Sequence, residues 1–280
     1  MLAASTIECN GVVWLTSLRE DETGPTTRIV DDMQRKMPGF DLSFTHLTVT
    51  SAEHLKTVLN DLAILALRDG VRPILHFNMH GSQDKGLYIA QSDEYLSWED
   101  LYISLRRINE ATRNNLVVVS AACYSLHSIR QITLEAAVPF FALLAPDETV
   151  QFGFLEDNLR KFYDDFISTG SIDTAYQTHL SDRFRYFHCE EMLCRTIAKY
   201  IVKSCKGRSA QERKERLLTL AVSNGLGTTP QNLRHARTKI KEVMQPSQEL
   251  LDRYSNTFLI GRPCSISMDD IQRVLDGGNP

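Results

Sequence analysis

Residues 74–82 read ILHFNMHGS, an apolar run that ends in the pair His80-Gly81. A second stretch, LVVVSAACYS at residues 116–125, starts with four apolar residues and reaches Cys123 after three small ones. Both have the length and composition of buried strands. Strands without polar alternation are typical of parallel sheets, whose carboxyl ends carry the functional groups of such folds. The sequence therefore places a histidine and a cysteine at the same edge of a predicted sheet.

Strand-like and helix-like segments alternate along the first 180 residues. Apolar or alternating runs predict strands at residues 11–16, 41–50, 72–79, 86–90, 116–119 and 138–145. Amphipathic spacing predicts helices at residues 27–37, 52–69, 96–112, 126–137 and 154–168. Ser51 is a predicted N-cap, and Gly70 and Gly170 are predicted helix stops. This order predicts an α/β fold, an α/β/α sandwich with helices on both faces of a mostly parallel sheet.

From about residue 173 the pattern becomes helical. Amphipathic periodicity covers residues 173–205, 209–223, 230–244 and 246–256, and residues 257–260 are a candidate strand. The first 180 residues hold 14 Lys and Arg against 24 Asp and Glu, a net charge of −10, whereas residues 181–280 hold 17 against 11, a net charge of +6. We therefore divide the chain into a core at residues 1–180 and a helical extension of unknown role at residues 181–280.

A histidine and a cysteine at one sheet edge form a candidate nucleophilic site. A thiol attacks as the thiolate, and histidine is the side chain best suited to take its proton near neutral pH. His80 would be the base and Cys123 the nucleophile, with the N–H groups of Gly81 and Cys123 as an oxyanion hole. Taken singly, a cysteine after a strand is more often a core thiol, and a His-Gly pair is more often a turn.

The same residues resemble the motifs of the CHAT-domain cysteine proteases, which are caspase-like members of clan CD related to caspases, metacaspases and separases. The resemblance rests on residues 76–81, 86–87, 96–105, 116–123, 145–147 and 161–170. It extends over residues 10–178 and leaves the helical remainder unmatched. It implies a caspase-like α/β/α core in which His80 is the general base and acid and Cys123 is the nucleophile.

The resemblance also implies a function. We expect a cysteine endopeptidase that cleaves a specific protein substrate, needs no cofactor or metal, and is regulated by an activating protein partner. Family context includes prokaryotic antiviral defence systems. The substrate protein, the mode of activation and the oligomeric state stay open. The rival interpretation is a catalytically silent caspase-like interaction module that binds a partner through its basic extension.

Three residues are candidates for a substrate pocket. Metacaspases carry an acidic residue two positions before the nucleophile, where this sequence has Ala121, so a strong preference for Arg or Lys is not expected. Asp147 and Glu148 close another predicted strand end. They are candidates for a charged pocket wall, with solvated loop carboxylates as the alternative.

Other histidines lie near the predicted dyad. His76 and Asn78 share a strand face with His80 and are candidates to support it. His76 and His80 are four residues apart, as in helical zinc motifs, but they lie on a strand, so no metal site is predicted. His127, four residues after Cys123, would contact the thiol only if a helix began at the nucleophile.

Composition argues against membrane and secreted classes. The apolar runs reach roughly ten residues, whereas a spanning helix needs about 20, and the first residues lack the features of a signal peptide. The six cysteines form no CxxC pair and are expected to be free thiols in the cytoplasm.

A basic stripe marks the predicted extension. Helical spacing aligns four cations on one face: Arg195, Lys199, Lys203 and Lys206. The stripe is a solvated face or a surface for an acidic partner. Nucleic acid would be contacted only indirectly, if at all, because no aromatic interleaving or phosphate-binding loop accompanies it.

Overall fold

The computed structural model describes residues 6–205 and 207–277. The chain divides into two compact units. One, the sheet unit, contains residues 6–189 together with Thr257–Arg262, and the other, the helical unit, contains Glu190–Asn256 and residues 263–277. Residues 190–256 of the helical unit therefore lie between the two parts of the sheet unit, and residues 263–277 follow the second part.

The sheet unit is built on a mixed sheet. Its strands in the described chain are β1 (Gly11–Ser17), β2 (Ser43–Thr48), β3 (Pro73–Ser82), β4 (Gly86–Ile89), β5 (Glu94–Leu96), β6 (Val117–Ser120), β7 (Ala142–Ala145) and β8 (Arg185–His188). The main path runs β2-β1-β3-β6-β7-β8, with β4 pairing to β3 and β5 to β4. The pairs along the path are parallel except β7 with β8. The predicted α/β fold with a mostly parallel sheet is confirmed.

Five α-helices accompany these strands: α1 (Thr23–Lys36), α2 (Ala52–Asp69), α3 (Trp98–Ala111), α4 (Phe152–Thr169) and α5 (Ile172–His179). The chain moves one way along the sheet from β1 to β2 and the opposite way from β2 to β3 and from β3 to β6. Right-handed crossovers then place α1 on one face and α2 and α3 on the other. Arg28–Glu156 and Lys36–Asp164 ion pairs, both at 2.6 Å, join α1 to α4. The layers are compatible with an α/β/α sandwich.

The predicted start of α2 and the predicted ends of α2 and α4 are confirmed by their caps. Ser51 has extended backbone, and its Oγ accepts the N–H of His54 at 3.0 Å. Gly70 and Gly170 follow the two helices with φ of 69° and 68°, the left-handed conformation that glycine adopts without strain.

Two strand and helix predictions are wrong near the end of the sheet unit. Residues 185–188, predicted as helix, form β8 because they pair antiparallel with the open edge of β7. Residues 257–260, the candidate strand, instead close a helix and turn; Phe258 and Leu259 are buried there. In both places long-range packing overrides the local pattern.

The segments after β6 also differ from prediction. The predicted helix at residues 126–137 is a 3-10 helix at Ser125–Gln131 followed by irregular chain. The predicted strand at residues 138–145 pairs only from Ala142. The residues before it are buried and join other segments instead: the N–H of Val138 donates to the carbonyl of Phe258, at 3.0 Å.

The helical unit contains α-helices and a π-helical turn. They are α6 (Cys189–Tyr200, which begins in the sheet unit), the turn at Ile201–Cys205, α7 (Gly207–Ser223), α8 (Pro230–Val243), α9 (Gln248–Phe258, which ends in the sheet unit) and α10 (Met268–Leu275). Side chains cap α8 and α10: Thr229 accepts the N–H of Asn232, and Ser267 forms a capping box with Asp270.

Asn109 ties three segments of the sheet unit together. Its carboxamide is buried at the end of α3. Its Oδ1 accepts the N–H of Leu116 at 3.0 Å, and its Nδ2 donates to the carbonyl of Val138 at 2.9 Å and to Oδ1 of Asn114 at 3.0 Å. One side chain therefore satisfies buried groups just before β6 and before β7.

Replacing Asn109 by alanine should destabilise the sheet unit by about 2–4 kcal/mol, because buried backbone groups lose their partners. Both tryptophans, Trp14 and Trp98, lie in this unit, so urea unfolding followed by tryptophan fluorescence measures it. The matched control is Asn60→Ala at an exposed position of α2, expected to change stability by less than about 0.5 kcal/mol. Equal effects of the two variants would contradict this account of Asn109.

Candidate active site

The pairing of β3 with β6 positions the predicted dyad. The register runs from Ile74 opposite Val117 to Phe77 opposite Ser120. His80 lies three residues beyond Phe77 in β3, and Cys123 lies three residues beyond Ser120, in the turn that follows β6. The two residues therefore meet at the carboxyl edge of neighbouring parallel strands, where the sequence placed them.

Gly81 allows the two backbones to touch. A Cβ added to Gly81 would lie 2.0 Å from the carbonyl oxygen of Cys123 and 3.2 Å from its nitrogen. Only glycine fits at this distance, since backbone atoms of Cys123 occupy the space of a side chain. The structure thus brings together the two residues predicted to form the oxyanion hole; their role as donors stays a prediction.

Cys123 lies in a sharp turn beside the loop at residues 146–150. Its partly buried Sγ accepts the N–H of Val150 at 3.4 Å. The next residue, Tyr124, has φ of 60° and donates its N–H to the carbonyl of Glu148 at 3.2 Å. The loop at residues 146–150 therefore holds both the sulfur of Cys123 and the backbone of the turn that carries it.

His80 faces a carboxylate that the sequence did not predict. Its Nε2 lies 3.0 Å from both carboxylate oxygens of Glu22, and its side chain is 48% exposed. Partial burial acts to raise the pKa of Glu22, but hydrogen bonds with His80 and with the backbone N–H of Arg19 outweigh it and hold that pKa below its ordinary value. Among the described residues, no hydrogen bond joins His80 to Cys123.

The strand order could have indicated that an acidic residue lies near His80. Glu22 ends a short 3-10 helix, Glu20–Glu22, soon after β1. Strand β1 is the parallel neighbour of β3, with Ser17 opposite Met79, so acids after β1 lie at the same edge as His80. Sequence reasoning missed this contact because 58 residues separate the partners.

His76 and Asn78 lie on the buried face of β3 and bond elsewhere. The His76 ring stacks on Trp14 with centroids 3.6 Å apart, and its Nδ1 lies 2.9 Å from the Tyr163 hydroxyl. Burial lowers the pKa of His76 to about 3, so its ring is neutral at physiological pH. Asn78 donates to Thr26 at 2.9 Å. In the described part of the chain, neither His76 nor Asn78 forms a hydrogen bond with His80, which the sequence predicted them to support.

The candidate pocket residues occupy different environments. Ala121 is only 4% exposed, and its N–H donates to the carbonyl of Phe77 at 2.8 Å, which extends the strand pairing. Asp147 accepts from Nε of Arg185 at 3.2 Å, so its charge is partly neutralised. Glu148 has an exposed side chain beside the Cys123 turn.

The described residues also bear on the predicted contact of His127 with Cys123, on metal binding and on membrane crossing. His127 lies 3.4 Å from the carbonyl of Gln83 rather than on Cys123. No group of three or more His, Cys, Asp or Glu side chains in the described chain is arranged to hold a metal ion. Within the same residues, no helix combines the length and hydropathy needed to cross a bilayer.

No protein-family model and no curated protein matches this chain. The functional argument therefore depends on the residues and geometry of the site itself.

Replacing Gly81 by alanine should lower the stability of the sheet unit by about 1–3 kcal/mol, because the new Cβ would overlap the backbone of Cys123. Urea unfolding followed by tryptophan fluorescence measures the change. Gly153→Ala is the control: Gly153 lies in α4 with no atom within 4 Å of its added Cβ, so helix propensity should stabilise this variant by up to about 1 kcal/mol. The packing argument would be contradicted if Gly153→Ala destabilised the sheet unit while Gly81→Ala did not.

Proposed function

We propose that this protein is a cysteine endopeptidase with a caspase-like core and a His80–Cys123 dyad. The observation that carries the proposal is the placement of both side chains at one edge of adjacent parallel strands, with the backbone of Gly81 against that of Cys123. A purely structural cysteine does not need a histidine at the end of the neighbouring strand.

The first half of the reaction forms an acyl-enzyme. His80 takes the proton of Cys123, and the thiolate attacks the carbonyl carbon of a peptide bond. The N–H groups of Gly81 and Cys123 stabilise the negative charge that develops on the carbonyl oxygen. His80 then gives its proton to the leaving amine as the C–N bond breaks.

The second half releases the enzyme. Water loses a proton to His80 and attacks the thioester, and the C–S bond breaks to give a carboxylic acid and the thiol. These steps use side chains and backbone groups of the chain itself and require no cofactor.

The dyad needs a small rearrangement before it can react, because no hydrogen bond joins its members among the described residues. Catalytic hydrogen bonds often tighten only when substrate binds. We propose that a protein substrate or an activating partner induces this change, in the reducing cytoplasm where Cys123 stays a thiol.

The partner surface we favour is the basic face formed by α6 and the π-helical turn that follows it. Lys199 and Lys203 are exposed, whereas Arg195 is paired with Glu191 at 3.0 Å. Lys206, the last residue of the predicted stripe, lies outside the described residues. The same face would serve the alternative function, a non-catalytic interaction module.

Cys123→Ala should abolish labelling by fluorescent peptide acyloxymethyl ketones, and His80→Ala should slow it about 100-fold or more, because base and nucleophile act together. In-gel fluorescence and mass spectrometry of the labelled peptide measure the effect. Cys9→Ala and Cys264→Ala remove other partly exposed cysteines and should label like the wild type. Labelling that survives Cys123→Ala would rule out the proposed nucleophile, and a folded wild type that never labels would favour the interaction module.

The residue before the scissile bond should not be strictly Arg or Lys, because Ala121 supplies no charge and Arg185 neutralises Asp147. Arg185→Gln should free the carboxylate and raise cleavage before Lys and Arg severalfold, as measured on a peptide library by mass spectrometry. The double variant Arg185→Gln/Asp147→Asn is the control and should lose this gain. A strict basic preference of the wild type that survives Asp147→Asn and Glu148→Gln together would contradict the prediction.

A further inference from the structure

Glu22 is fixed beside His80 by more than one bond. Both of its carboxylate oxygens lie 3.0 Å from Nε2 of His80. One of them also accepts the backbone N–H of Arg19 at 3.0 Å, within the capping interaction of the 3-10 helix that contains Glu22. The position of the carboxylate therefore does not depend on His80 alone.

The ionisation of Glu22 determines which nitrogen of His80 carries a proton. The Arg19 and His80 hydrogen bonds outweigh partial burial and hold the pKa of Glu22 below its ordinary value, so the group is a carboxylate at neutral pH. An ionised carboxylate only accepts hydrogen bonds. Nε2 must therefore donate, which leaves the lone pair of neutral His80 on Nδ1, and no hydrogen bond within the described chain occupies that nitrogen.

We propose that Glu22 is a positioning residue for the His80–Cys123 dyad: it selects the Nε2–H tautomer of His80 and stabilises the imidazolium. This role rests on the proposed function. In the activating step the Sγ–H bond of Cys123 breaks and an Nδ1–H bond forms on His80. The ring is then an imidazolium whose Nε2–H donates to the carboxylate of Glu22. Glu22 itself stays ionised and does not touch the substrate.

Alkylation of Cys123 by iodoacetamide tests the role without any substrate. Rates are measured by mass spectrometry of the peptide that contains Cys123, from pH 6 to pH 9, on the full chain. At pH 7, Glu22→Gln should slow alkylation ~5-fold, as expected when a half-exposed charge-assisted hydrogen bond becomes neutral. Glu22→Asp keeps the charge and should restore most of the rate. The matched control Glu20→Gln removes the same charge from the same 3-10 helix and should stay within ~2-fold of the wild type.

Long-range proton–nitrogen NMR correlations of the His80 ring provide a second readout. The wild type should show the Nε2–H tautomer, and Glu22→Gln should show a mixture of both tautomers. An unchanged tautomer, or alkylation of Glu22→Gln at the wild-type rate, would overturn the proposal. Faster alkylation would also overturn it and make Glu22 a restraint on the dyad. A lower melting temperature with an unchanged alkylation rate would show a merely structural role.

These outcomes are separable from failure of the proposed function. If peptide electrophiles never label the protein but iodoacetamide alkylation of Cys123 still depends on Glu22, the thiol is activated for a different reaction. If labelling depends on Cys123 and His80 but not on Glu22, the endopeptidase proposal stands and the positioning role falls.

Discussion

Four parallel residue pairs join β3 to β6, and the candidate active site takes its geometry from them. They bring the strand ends that carry His80 and Cys123 side by side, and the missing Cβ of Gly81 lets the two segments come into backbone contact just beyond the last pair. A shift of register by one residue would move the side chains of β3 to the opposite face of the sheet. The same pairing therefore buries His76 under α4 and aims His80 at the segment that follows β1.

The ion pairs at this edge of the sheet contribute little to the stability of the fold. The Glu22–His80 pair is half-exposed, as is Arg185 with Asp147, and such pairs contribute only about 0–1 kcal/mol to folding. The fold is held instead by buried groups such as Asn109 and by the apolar strands. These charged side chains can therefore exchange partners while the scaffold stays folded.

Much of the fold could be predicted because its signals are local. The apolar strands at residues 74–82 and 116–119, the cap at Ser51 and the stop at Gly70 depend on neighbouring residues alone. Their order also predicts which strands are adjacent, and hence that His80 and Cys123 share an edge. Strand β8 could not be predicted from periodicity, because its conformation comes from pairing with β7.

The remaining features of the site depend on contacts between distant segments. The approach of Glu22 to His80 crosses 58 residues, and the N–H of Val150 reaches Cys123 from a loop without a periodic pattern. The ion pair of Arg185 with Asp147 required β8 to be in place first. The order of strands predicts at which edge of the sheet such contacts form. Which individual side chains pair there can be determined only from the three-dimensional structure.

The return of the chain to the sheet unit after residue 256 has a genetic consequence. The segment at Thr257–Arg262 returns to the sheet unit, where Phe258 accepts the N–H of Val138 and Arg262 donates to the carbonyl of Asn114 at 2.8 Å. A premature stop codon anywhere in residues 190–256 would delete this returning segment along with the helices. Loss of folding in such truncated proteins would then reflect an incomplete sheet unit, whereas in-frame replacement of residues 190–256 would reveal what the helices themselves contribute.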